Sequence, residues 1–488
     1  MRTAEMRCTL AVAPTVKERW TLTIHRALIS AILISLLTAS TAFARPIRFA
    51  TAKTNATGIT HSTRVAVGDF NHDGNPDLAI SSSYNQVAIF LGKGDGTFTG
   101  PTIYNLTFYV TGSVAVGDFN GDGKLDLAIV GGDTSGNGLA FLSGNGDGSF
   151  NTPVYFATAD AGSGIVAVPD DFTHSHNLDL FVGGNGSSEV ILGDGNGNFQ
   201  DGQFENVFGF GVAVGDFNHD GNLDVATTQA YPNFNSTGVS ILLGNGDGTF
   251  QSPQAYSGMD EPVGIATGDF NGDKKLDLAV TDYLSDTVVI LLGNGDGTFT
   301  NTGQWFAGIN PGSVAVSDFN EDGKADLAVS DYGSSVVSVL TGKGDGTFPS
   351  LTSLATGAAP ASVIAVDLNH DGSPDLVSVN NADDTFSVLL NAAGTYVQLR
   401  SSPNPSGPGQ PVTFTTKVRG SVSTSPAPSG SVVFKDGTKT LGSGTLTSGV
   451  ASFTTSTLSA GTHSIVVMYS GDANFNPNRS TVLLQVVK

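Results

Sequence analysis

The sequence is poor in cysteine, in basic residues and in helical patterning. Its 488 residues hold one cysteine, Cys8, and 22 Lys and Arg against 44 Asp and Glu. A lone thiol near the N-terminus excludes disulfides, thiolate metal sites and a cysteine nucleophile from the rest of the chain. The deficit of bases excludes nucleic acid, which calls for clustered Lys and Arg. A net charge of −22 fits a cation-binding surface or a soluble exported protein. No stretch after residue 44 repeats with helical period. Motifs of the forms HExxH, GxSxG and GxxxxGK[ST] are missing too.

Long apolar runs are also scarce. The one that stands out, residues 27–37, follows Lys17, Arg19 and Arg26 and precedes Ala42-Phe43-Ala44. That order of charge, apolar run and small residues reads as an export signal over residues 1–44. An uncleaved anchor is the alternative, although the run is near the lower limit of about 17 residues for spanning. Cleavage after Ala44 would remove five bases and two acids, Cys8 among the losses, and take the net charge to −25. The expected product is secreted or cell-surface, with no membrane insertion after cleavage.

What is abundant is a long repeat. VAVGDFNHDGNPDLAI starts at Val65 and returns in variants from Val114, Val212, Ile265, Val314 and Ile364, with a decayed copy, VAVPDDFTHSHNLDLFV, from Val166. The first Asp of the central loop falls at 69, 118, 171, 216, 269, 318 and 367. A second phrase follows about 25 residues later, as VAIFLGKGDGTF from Val87 and VVILLGNGDGTF from Val288; the seventh copy ends in the worn form FSVLLNAAGTY. VAVGDF, DLAI and VAIFL are short β-rich runs bounded by Gly, Asp and Asn, and a fourth run follows each GTF. Four strands in about 50 residues predict a propeller blade, a sheet that buries its faces only against its neighbours. Seven phrases predict seven blades. Residues 47–52 resemble a fourth strand and are expected to complete the last blade.

The phrase D-x-N-x-D-G-x-x-D sets oxygen ligands at loop positions 1, 3, 5 and 9, with a carbonyl at 7 and a Gly at 6 for the sharp turn. A hard cation such as Ca²⁺ takes six to eight oxygens arranged in this way. The first six positions match an EF-hand loop, but position 12 is Ile80, Ile129 or Val329 instead of Glu, and strands flank the loop. Asx-turns are the alternative for any one copy; recurrence of the full acid set in six copies favours metal. Loop five has Lys274 where Gly is wanted and is expected to bind weakly. Loop three, DFTHSHNLD, keeps only Asp171 and Asp179 as acids and is expected to hold no calcium. His174 and His176 would suit a softer ion there, with simple decay the plainer reading. About six ions would bring the mature charge from −25 to −13. The GNGDGTF phrases are tight turns whose Phe98, Phe250, Phe299 and Phe348 are expected to pack between blades.

These loops and turns resemble the FG-GAP repeat of integrin α-subunit propellers and of bacterial surface proteins, where it is often called VCBS, over about residues 47–396. The resemblance implies calcium ligands at Asp69, Asn71, Asp73 and Asp77 in blade one and at Asp118, Asn120, Asp122 and Asp126 in blade two. Blade four would use Asp216, Asn218, Asp220 and Asp224, and blade five Asp269, Asn271, Asp273 and Asp277. Blade six would use Asp318, Asn320, Asp322 and Asp326, and blade seven Asp367, Asn369, Asp371 and Asp375. It also implies a ligand face opposite the cation loops, built from the loops between strands two and three, with Tyr84, Tyr231, Phe234, Tyr283 and Tyr332 as contact residues.

Beyond a Pro- and Ser-rich stretch expected to be a linker, 397–410, the alternating runs of residues 411–488 predict a β-sandwich. GTHSIVVMYSGDANFNPNRS is similar to the closing strands of bacterial Ig-like repeats. The expected whole is all-β: a 45–396 seven-bladed propeller followed by an Ig-like sandwich. Its expected role is calcium-dependent binding or adhesion to an extracellular protein or glycan, without catalysis. A polysaccharide-active enzyme and a structural matrix component are the alternatives.

Overall fold

The structure is a computed structural model. It describes residues 47–488 apart from 109–111, 134–135, 159–165, 185–186, 206, 230–236, 392–394, 421–426 and 473–474. The expected signal, residues 1–44, lies outside the described residues.

Described residues before 392 form seven four-stranded antiparallel sheets. The first is Ser62–Gly68, Asp77–Ser82, Gln86–Gly92 and Phe98–Asn105, in that order from inner to outer edge. The cation loop joins the first two strands and the GDGTF turn joins the last two, so both lie at one end of the blade. The second strand is buried at every residue in blades one, five, six and seven, because neighbouring blades cover both its faces. The inner strands Ser62–Gly68, Val114–Gly117, Val166–Asp170, Val212–Gly215, Pro262–Gly268, Pro311–Ser317 and Pro360–Val366 each contact the next, and the last contacts the first. The ring is therefore closed.

Two interactions recur between blades. The Phe of each GDGTF turn packs edge-on against the previous blade, as Phe299 on Phe217 (5.4 Å), Phe348 on Phe270 (5.6 Å) and Phe98 on Phe386 (5.7 Å). Phe250 sits between Phe172 and Phe181. Beside each ring, the second glycine of the turn donates its N–H to the carbonyl of loop position 2 in the previous blade, as Gly148 to Phe70 and Gly346 to Phe270 (both 2.9 Å). In blade seven, where the phrase has worn away, the Asn391 side chain makes the bond instead, to the Phe319 carbonyl at 2.9 Å.

The last blade is completed from the N-terminal side, but by a later segment than residues 47–52. Lys53–Ala56 pairs with Thr385–Leu389, and Phe49 makes an isolated bridge to Asn391. The reason is burial. An outer strand faces solvent, and KTNA is exposed throughout. The more apolar Ile47, Phe49 and Ala52 turn inward against the cluster between blades six and seven.

The linker expected at 397–410 is also corrected. Its first residues belong to the strand Thr395–Ser402, which pairs with Val412–Gly420. Val397 and Leu399 alternate inward onto the sandwich core around Phe414 and Phe434. The opposing sheet centres on Gly461–Tyr469, paired with Ser431–Asp436 and Leu483–Val487.

Candidate metal centres and ligand face

The cation loops hold their own side chains in place. In blade one Asp69 Oδ1 accepts the Asp73 N–H (3.1 Å) and Asp69 Oδ2 the Gly74 N–H (3.0 Å). Asn71 Oδ1 accepts the same Asp73 N–H at 3.0 Å, and Asp73 Oδ1 accepts the Asn75 N–H at 2.8 Å. One N–H shared by positions 1 and 3 brings their oxygens side by side. The same pattern holds at Asp118, Asn120 and Asp122 and at Asp216, Asn218 and Asp220. It recurs at Asp269, Asn271 and Asp273, at Asp318, Asn320 and Asp322, and at Asp367, Asn369 and Asp371.

Position 9 is different, being fully buried. Asp77 accepts the Phe70 N–H on Oδ2 (2.8 Å) and the Gly92 N–H on Oδ1 (2.7 Å), which ties the cation loop to the end of strand three. Asp126, Asp224, Asp277 and Asp326 repeat the arrangement; Asp375 does so with Leu368 and Asn391. Burial pushes these carboxyls up, to about 6 at Asp77, Asp126, Asp224 and Asp277, about 7 at Asp326 and about 8 at Asp375, and the carboxylates at positions 1 and 5 push the same way. A positive charge would oppose that push.

Among the described residues no three Asp, Glu, His or Cys side chains converge as a ready cage. Each of the six acidic loops uses Asn as one of its four ligand positions, and the carboxylates turn to backbone N–H groups. Every carboxylate oxygen accepting one N–H keeps a second lone pair. The donor set is all oxygen, which suits a hard divalent cation. The residues present therefore fit calcium.

Loop three keeps the backbone and loses the charge. Asp171 accepts from Ser175 (3.0 Å) and His176 (2.9 Å), and Ser175 Oγ accepts the Asn177 N–H that an Asp takes elsewhere. His174 does not converge with His176 on an ion; its Nε2 lies 3.0 Å from Asn222 Oδ1 of blade four. In loop five Lys274 takes φ +66°, in the left-handed region where the other five acidic loops use Gly. A Cβ at the matching Gly74, Gly123, Gly221 or Gly323 meets no atom within 4 Å, so the cost of Lys274 lies in its backbone. Lys274→Gly is expected to stabilise the calcium-free protein by about 1 kcal/mol in urea unfolding. The gain should be larger with calcium present, as a cationic side chain leaves the loop.

One role of the loops was not visible in the sequence. Position 4 reaches across to position 7 of the next blade: His370 Nε2 lies 3.0 Å from Asn75 Oδ1, and Ser373 Oγ donates to Glu321 Oε1 at 2.6 Å. The loops thus also touch one another across the junctions of blades three and four, six and seven, and seven and one.

At the other end lie the loops between strands two and three. Tyr84 is exposed and meets His61 edge-on at 4.9 Å. Tyr283 and Tyr332 come from adjacent blades; burial, and then the nearby Tyr332, pushes the Tyr283 hydroxyl up. Tyr231 and Phe234 lie outside the described residues. The sequence reading missed Leu284 and Phe306, each 61% exposed, and Ile309, 50% exposed. Asn310 ties these loops together, donating its N–H to Asp286 (2.9 Å) and its side-chain amide to the Tyr283 carbonyl (3.1 Å), while its own carbonyl accepts the Tyr332 N–H (3.0 Å). The result is an apolar patch across blades five and six. The available signal was an aliphatic residue at each of two loop tips, Leu284 in Tyr-Leu-Ser-Asp and Ile309 in Ala-Gly-Ile-Asn.

Comparison with known proteins agrees with this architecture. The FG-GAP-like repeat matches residues 69–129, 171–227, 230–280, 269–329 and 318–378, and the bacterial Ig-like domain (group 3) matches 399–488. No curated protein matches the chain. Among solved structures it is similar to BBS1N in complex with ARL6DN, soaked with mercury, at 12% identity and a TM-score of 0.50, covering 70% of this chain and 96% of that one. An Agrocybe aegerita lectin described as recognising non-reducing terminal N-acetylglucosamine is 18% identical with a TM-score of 0.42, over 67% of this chain and 93% of that one. Its repeats being matched over more than half its length, the chain belongs to the FG-GAP-like repeat family and carries a bacterial Ig-like domain at its C-terminal end.

Proposed function

We propose that this is an exported binding protein whose propeller is stabilised by calcium at one end and engages an extracellular partner at the other. Six loops would hold the ions through positions 1, 3, 5 and 9, loop five the most weakly, and loop three would hold none. Calcium supplies charge compensation and cross-linking; the chain's own residues supply the oxygens and the backbone N–H bonds that orient them.

The observation that carries the binding role is the patch of Leu284, Phe306, Ile309 and Tyr332 on the face away from the cation loops. Contiguous exposed apolar side chains on a rigid scaffold mark an interaction site. Two of the four are aliphatic, which favours a protein partner, since sugars stack on flat aromatic faces. The Ig-like domain would space or display the propeller.

Protein and glycan arrays probed with calcium and again with chelator test this reading. Calcium-dependent capture of a defined protein is expected. Leu284→Asp with Ile309→Asp should weaken that capture at least tenfold, by loss of buried apolar area, at an unchanged melting temperature. Unaltered capture by the double variant would remove the patch from the account. Release of product from an array member would instead make the protein an enzyme.

A further inference from the structure

The inner strands bring one position of each blade to the ring axis. Counting back from the cation loops, the equivalent residues are Arg64, Ser113, Val166, Gly211, Gly264, Ser313 and Ser362. Five of the seven are Ser or Gly and one is a valine. The seventh is an arginine. In blades one, five, six and seven the pairing of the inner strand with its neighbour slips at this point. A cavity of about 130 Å³ lies here, lined by Arg64, Ser113, Gly211, Gly264, Ser313 and Phe210 among others. Arg64 stands near the start of its strand, so the cavity is at the axial mouth on the side of the apolar patch, away from the cation loops.

Among the described residues Arg64 has no counter-charge. The ion pairs among them join Lys124 to Asp122, Lys275 to Asp273 and His463 to Asp436, and none of their carboxylates lies within 4 Å of the Arg64 guanidinium. Burial pulls that guanidinium below its ordinary value, yet an arginine stays protonated in proteins. Its planar fork matches an oxyanion in bidentate fashion. In a chain of net charge −22 a half-buried cation with no ion-pair partner among the described residues, beside a cavity shared by blades one, two, four, five and six, calls for a ligand that supplies the missing charge.

We propose that this axial cavity is an anion site in which Arg64 binds a small organic carboxylate. Charge and lining choose the class. One guanidinium compensates one negative charge, so a phosphate dianion would remain half uncompensated. Beside Arg64 the polar side chains are the Ser113 and Ser313 hydroxyls, and the remainder is glycine backbone and apolar surface such as Phe210, Val212 and Ile265. A carboxylate head with a short branched apolar tail fits both parts. The site is independent of calcium and of the protein partner proposed above.

The test uses the full chain with acetate, isobutyrate, inorganic phosphate and chloride at constant ionic strength, read by calorimetric titration and thermal melting. Saturable binding of isobutyrate is expected, about tenfold tighter than acetate for its two additional carbons, with phosphate and chloride weaker. Arg64→Ser places at the axis the residue that blades two, six and seven already carry. It should abolish isobutyrate binding, and without ligand it should melt no lower than the parent protein. Arg64→Lys keeps the charge, loses the fork and should weaken binding several-fold. Equal binding by Arg64→Ser, or no saturable response of the parent protein to isobutyrate, overturns the proposal. So does phosphate binding more tightly than any carboxylate. Should Arg64→Ser fail to fold, undiminished binding by Arg64→Lys overturns the bidentate grip.

Discussion

Stripping divalent cations from the purified protein is expected to lower the melting temperature of the propeller by roughly 20 °C, and added calcium should restore it. The magnitude follows from the number of loops. An ion present at a hundred times its dissociation constant adds about 2.7 kcal/mol per site. Six acidic loops then contribute on the order of 16 kcal/mol, against an unfolding entropy near 2.1 cal/mol/K per residue. Without the ion, each loop holds an acid at position 9 that burial and the neighbouring carboxylates push upward, as at Asp326 and Asp375. Scanning calorimetry in chelator and then in excess calcium measures the shift. The transition of the Ig-like domain, which carries no such loop, is the internal reference and should not move. Magnesium should restore less, because it demands a smaller octahedral cage and dehydrates reluctantly. A propeller transition that stays put in chelator would remove the metal from the account of stability.

The cation loops were legible because their chemistry is local. Positions 1, 3 and 5 lie within five residues, and the bonds that gather them, Asp73 N–H to Asp69 and Asn71 among them, are made inside the same turn. The blade was legible for a similar reason: its four strands follow one another with tight turns. The packing of the turn Phe residues between blades was legible too; what failed to show was the polar contact of one blade's loop with the next. The reach of His370 to Asn75 spans 295 residues of sequence and depends on the angle between two sheets. The closing strand lies a few residues after the segment 47–52 that resembles a fourth strand, because an outer strand is solvent-exposed and here is KTNA. The first sandwich strand is masked in the sequence by the prolines that closely follow it, and its one signal is the alternation of Val397 and Leu399. Arg64 was unremarkable until its strand was known to face the axis.

The glycine that opens each GNGDGTF phrase makes the second large prediction, and it joins these two scales. In blade five Gly293 donates its N–H to Asp277 Oδ1 at 2.8 Å, and Asp277 Oδ2 accepts the Phe270 N–H at 2.8 Å. A Cβ on Gly293 would stand 2.2 Å from the Leu276 carbonyl oxygen. That oxygen is backbone, in the residue next to Asp277, and cannot swing aside without moving the cation loop. Blade six repeats the close approach, with Gly342 against the Ala325 carbonyl at 2.1 Å. Gly293→Ala is therefore expected to cost roughly 3–5 kcal/mol, part from overpacking and part from buried N–H groups left without an acceptor. Asp277→Ala should cost a similar amount by orphaning the Gly293 and Phe270 donors, whereas Asp273→Ala, whose side chain is exposed, should cost about 1 kcal/mol or less in calcium-free protein. Because Gly293 and Asp277 act on one node, the double variant should lose clearly less than the sum of the two. Urea unfolding of the four proteins in chelator measures each term. Strict additivity, or a Gly293→Ala variant as stable as its parent, would mean that the turn and the loop are separate devices; coupling would show that the bond between them is what lets one ion brace a whole blade.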